Sequence, residues 1–89
     1  MVAGNGAVEL LLGARKVAGF LPTSVGLSVY LYGTSDTEVK RIERLCDRAG
    51  VSEGSRPPRT SKYVLIKVRD DDTLRAVAEA LRLHCIGRA

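Results

Sequence analysis

Tryptophan is absent from this 89-residue chain, and one phenylalanine and three tyrosines are its only aromatics. The interior must therefore be aliphatic, filled by Leu, Val, Ile and Ala. Histidine occurs once, as His84, and cysteine twice, as Cys46 and Cys85. No Cys-x-x-Cys pair exists, which removes the usual zinc and dithiol motifs. Nucleophilic catalysis needs a thiol within hydrogen-bond reach of a base. His84 and Cys85 are adjacent, and neighbours on a helix point about 100° apart. His84 with Cys46 needs both at one helix seam, a position that suits Cys46 and Cys85 better. The chain is accordingly expected to be no enzyme. Its cysteines are expected to be reduced core thiols, although a Cys46–Cys85 disulfide would fit if their helices touch.

Long apolar runs are also missing. The longest, Ala7–Leu21, is interrupted by Glu9, Arg15 and Lys16 and is too short to span a bilayer. No basic stretch precedes it, so no secretory leader is expected, and the cytoplasm is the expected compartment with no membrane partner. Gly13 and Gly19 stand one residue too far apart for a P-loop, and Phe20-Leu21 follows where Lys and Ser/Thr are required. Gly33-Thr34-Ser35 sits between a strand and a helix start, but Asp36 and Glu38 would repel an anion there. Asp70-Asp71-Asp72 could attract a divalent cation. With no second acidic cluster and no calcium-loop spacing, it reads as the negatively charged first turn of a helix. Neither a metal nor a cofactor is expected.

What the chain does have is a mild basic excess, 14 Lys plus Arg against 10 Asp plus Glu, for a net charge of +4. Its hydrophobic fraction of 45% is that of a folded chain, and 89 residues are enough for one domain and no more. After a glycine-rich start at 1–6, expected to fray, residues 7–89 form that domain. Ala7–Leu21 carries Val8, Leu11, Leu12, Val17, Ala18 and Leu21 at helical spacing, which predicts a helix ended by Pro22. Val25–Tyr32 alternates and predicts a strand. Ser35-Asp36-Thr37-Glu38 is a capping box, and Val39, Ile42, Leu45, Cys46 and Ala49 follow on one helical face, with Gly50 as terminator. The exterior of that helix mixes Lys40, Arg41, Arg44 and Arg48 with Asp36, Glu38, Glu43 and Asp47, a balanced solvated face. Val51–Ser61 is a loop stiffened by Pro57-Pro58. Lys62–Arg69 predicts a second strand. A last helix opens at Asp70–Asp72, bears Leu74, Val77, Ala78, Leu81 and Cys85, and ends at Gly87. Residues 81–86 could also be read as extended.

The predicted class is α+β in the order α-β-α-β-α, with helices packed on one face of a small sheet. The strand–helix–strand run suits parallel pairing. Two strands alone are marginal, so the sheet is expected to gain a strand at the chain ends or to be completed by dimerisation. Its other face carries Tyr30, Tyr32 and Tyr63. Arg56, Arg59, Lys62, Lys67 and Arg69 supply positive charge in the Pro-containing loop and on that face. Cations meet phosphate, and exposed aromatics stack bases. The composition thus points to a small basic protein that contacts nucleic acid. The rival is a protein–protein module, a small regulator or phage-encoded inhibitor, that self-associates through the same tyrosines.

Overall fold

The computed structural model of the chain describes residues 8–24, 26–58 and 60–88. The order is β1 (Val8–Leu12), β2 (Arg15–Thr23), β3 (Gly26–Tyr32), α1 (Asp36–Ala49), a short 3₁₀ turn (Glu53–Ser55), β4 (Tyr63–Val68) and α2 (Asp71–Arg88). The four strands form one antiparallel sheet in the spatial order β1-β2-β3-β4. The α+β class and the helices on one side of a small sheet are as the sequence implies. The order of elements is not.

The predicted helix over Ala7–Leu21 is a β-hairpin. Leu12 pairs with Arg15 across the two-residue loop Gly13-Ala14. Gly13 has φ 68°, and no described non-glycine residue has positive φ. A glycine at the first loop position followed by a residue of negative φ is the type II′ hairpin turn. The pairing then slips, Leu10 facing Ala18 and Leu11 facing Lys16, so that Val17 is the extra residue of a bulge. That bulge breaks the two-residue alternation and leaves apolar residues at spacings that imitate a helix. The hairpin prevails because it buries Val17 and Ala18 and gives β3 a second neighbour, whereas a helix with Gly13 and Gly19 inside it forfeits about 1 kcal/mol at each. The strands that two predicted strands lacked therefore come from the N-terminal region of the same chain. Residues 81–86 are helical, and α2 runs through Gly87 to Arg88. The expected frayed start lies outside the described residues, as does Val25.

β3 and β4 are antiparallel rather than parallel, with Tyr32 opposite Tyr63 and Leu27 opposite Val68. α1 spans about 20 Å at 1.5 Å per residue. The loop after it is long enough, in extended form, to run that distance back. β4 consequently starts beside the end of β3, and the Gly33 N–H donates to the Lys62 carbonyl at 2.8 Å. At the start of α1, Ser35 Oγ accepts from the Glu38 N–H at 3.2 Å. The Glu38 carboxylate reaches back to the Thr34 N–H at 2.7 Å, one residue earlier than a standard capping box. Gly50 terminates the helix with φ 91°. Asp70 caps α2, accepting from the Thr73 N–H at 2.7 Å, and that bond holds its carboxyl below the usual range.

The core lies between the sheet and the two helices. Val29, Leu31, Val64 and Ile66 meet Val39, Ile42, Cys46, Val77 and Ala80, all of them buried. The buried stripe of α2 differs from the predicted one: Leu74 and Ala78 are exposed, while Ala76, Ala80 and His84 are buried. His84 is fully enclosed, and its Nε2–H donates to the Tyr32 carbonyl at 3.0 Å. Cys46 and Cys85 are both free thiols. Burial pushes the Cys46 thiol up to about 11, so it stays protonated at neutral pH.

Candidate functional site

Strand alternation divides β3 and β4 cleanly. Val29, Leu31, Val64 and Ile66 go to the core. Ser28, Tyr30 and Tyr32 go to the opposite, open face, as do Tyr63, Leu65 and Lys67 in β4. Register then fixes neighbours: Tyr32 opposite Tyr63, Tyr30 opposite Leu65, Ser28 opposite Lys67. All three tyrosines of the chain sit in one cluster, each half-buried. The Tyr30 and Tyr32 rings lie nearly parallel, 10° apart in plane with centroids at 6.3 Å. Tyr63 stands edge-on to both, at 5.2 Å and 6.1 Å. These separations are those of favourable aromatic pairs.

β2 contributes what it lacks. Gly19 is opposite Tyr30, and a Cβ on Gly19 would stand 2.9 Å from the Tyr32 hydroxyl oxygen. The bare backbone lets the Tyr32 ring lie across the strand. Lys16 approaches the same ring from β2, its Nζ 5.9 Å from the centroid, and pairs with Glu9 of β1 at 2.9 Å. Glu9 holds the Lys16 ammonium above its usual range. Burial, with the Glu9 charge behind it, raises Tyr32, so its phenol is neutral and able to donate at physiological pH. A hollow of about 80 Å³ is lined by Glu9, Gly19, Leu21, Tyr30 and Tyr32, among others.

The predicted cations part company. Lys67 is on the open face and exposed. With Arg69 it borders a hollow of about 180 Å³, beside Thr23 and Ser28, where β3 begins and β4 ends. Lys62 is exposed just before Tyr63, at the opposite end of β4. Arg56 does not join them. Its side chain is only 9% exposed and is bound to Asp47 of α1, with a second bond donated to the Glu43 carbonyl at 3.4 Å. It fastens the loop to the helical layer beside a groove of about 660 Å³ that Lys40, Arg44 and Pro57 also line. Its predicted role beside the tyrosines needs a free cation near the sheet, whereas the loop returning along α1 brings it to the Asp47 carboxylate and the Glu43 carbonyl. Arg59 lies outside the described residues. Glu9, Lys16 and Gly19 were not legible as site residues, because a helical reading of 7–21 puts them far from the tyrosines. The available signal was the Gly13-Ala14 pair flanked by apolar segments, a II′ turn signature.

The chain is thus a small α+β domain with one helical face and one open, tyrosine-bearing sheet face. Searches against protein-family models, curated proteins and solved structures find no match to it. Among the described residues, no helix is long and apolar enough to cross a membrane.

Proposed function

We propose that this chain is a non-enzymatic binding protein whose open sheet face takes single-stranded nucleic acid. One observation carries the reading: the tyrosine cluster is bracketed by cations at both ends. Lys67 and Arg69 stand at the Ser28 end and the exposed Lys62 directly precedes Tyr63 at the other, while Lys16, over the Tyr32 ring, is already paired with Glu9. A strand laid along β3 and β4 stacks bases on half-exposed rings while its phosphates meet ammonium and guanidinium groups. Stacking on such rings contributes roughly 1–3 kcal/mol per base. A duplex offers no base faces to a sheet, so single strands bind more tightly than duplex of equal charge.

Anisotropy of a labelled oligonucleotide, measured across a salt series, tests this. Affinity falls steeply as salt rises, and Lys67→Ala reduces the slope of log K against log salt by about 0.7. Tyr63→Ala weakens binding without changing that slope. Arg56→Ala leaves the slope unaltered, since its charge is already matched by Asp47. Equal loss for Arg56→Ala and Lys67→Ala, or no binding at low salt, refutes the proposal. A dimer broken by Tyr30→Asp would instead assign the same face to self-association.

A further inference from the structure

We propose that the free edge of β1 pairs with the β1 edge of a second copy of this chain, forming one continuous eight-stranded antiparallel sheet. β1 is an end strand of the sheet, with β2 on one side and no partner strand on the other among the described residues. An edge strand presents unpaired N–H and C=O groups, and proteins ordinarily guard such edges with lysine, proline or a covering element. β1 has the sequence Val-Glu-Leu-Leu-Leu, with no lysine or proline, and the bulge in this pair, a device that also blunts edges, has its extra residue, Val17, on β2 rather than on the free edge. Among the described residues five large hydrophobics are exposed, and three of them are on this strand: Val8 at 37%, Leu10 at 40% and Leu11 at 55%. Its single charge, Glu9, is neutralised within the chain by Lys16.

A second copy can supply a strand against which all five residues pair, and charge and length select its register. In an antiparallel pair, directly opposed residues share a face. A two-fold centred on Leu10 opposes Leu10 to its copy, Val8 to Leu12 and Glu9 to Leu11, and it pairs all five residues of the strand. Centring on Glu9 would set two carboxylates directly opposite, which is destabilising. Centring on Leu11 would leave Val8 and Glu9 without partners. Val8 and Leu10 are opposite Phe20 and Ala18, on the helix-bearing side of the sheet. The Leu10-centred dimer therefore adds an apolar strip between the two helical layers. The axis is perpendicular to the sheet, so both tyrosine clusters remain on the same open face. This interface is independent of what that face binds.

Sedimentation velocity over a concentration series, joined to cysteine cross-linking, tests the pairing. The wild type shifts from monomer to dimer as concentration rises. Leu10→Lys sets two ammonium groups opposite one another and weakens association by more than about tenfold, whereas Tyr30→Ala leaves it unchanged. In a Cys85→Ser background, Leu10→Cys gives a disulfide-linked dimer on mild oxidation. Leu11→Cys, which faces Glu9 rather than its own copy, gives far less. The cross-linking arm holds even if Leu10→Lys impairs folding. A chain that stays monomeric throughout, a dimer indifferent to Leu10→Lys, or equal cross-linking at positions 10 and 11 would overturn the proposal.

Discussion

Gly19 has no side chain, and Tyr32 occupies the space. The Tyr32 hydroxyl lies 2.9 Å from where a Cβ on Gly19 would stand. Gly19→Ala therefore moves the ring while sparing the backbone. Overpacking of this kind costs roughly 1 kcal/mol. Near-ultraviolet circular dichroism, which reports ring packing, should change, while the far-ultraviolet spectrum should not. Unaltered tyrosine signals would mean the ring does not lie across β2. His84 works from the other side of the same residue. Its Nε2–H is donated to the Tyr32 carbonyl, and its ring is enclosed in α2's contact with the sheet. His84→Ala leaves that carbonyl without its donor and opens a cavity, for a loss of about 2–3 kcal/mol. Urea denaturation measures it. A loss below about 0.5 kcal/mol, typical of surface substitutions, would contradict the contact.

At the scale of elements, what could be read from the sequence depended on whether its signals were local. α1 was legible from end to end, because the Ser35 cap, the 3.6-residue stripe and Gly50 agree with one another. β3 and β4 were legible because alternation and β-branched residues coincide. The faces of their side chains followed from period alone, and so the tyrosine cluster was visible in outline. The N-terminal hairpin was not, since the Val17 bulge breaks the alternation that identifies a strand. Parallel or antiparallel pairing was not legible either. It depends on the return path of residues 50–62, which is set by length and contacts rather than by composition. The contacts of Arg56 were not legible for the same reason: its partners Asp47 and Glu43 are nine and thirteen residues away. The hairpin makes a sharp prediction. Gly13 has φ 68°, a conformation that a β-branched residue resists. Gly13→Val should destabilise the chain by about 1 kcal/mol or more in thermal unfolding, with β1 amides losing exchange protection before those of β3. Wild-type stability in Gly13→Val would exclude the II′ turn.

Across the whole molecule, the helices take one face of the sheet and leave the other open among the described residues. Tryptophan is absent and all three tyrosines lie on that open face, so the protein's intrinsic emission reports on this surface almost alone. The sheet edge at β1 and the ring cluster are separate surfaces, and a dimer built on the edge would present two clusters on one side. The most direct measurement is tyrosine emission during titration with an unlabelled single-stranded oligonucleotide, against a duplex of equal length. Stacking on Tyr30, Tyr32 and Tyr63 predicts saturable quenching by the single strand. The quenching should reverse with added salt and weaken in Lys67→Ala. Emission that stays constant while the oligonucleotide binds, or equal quenching by the duplex, would contradict a stacking face on this sheet.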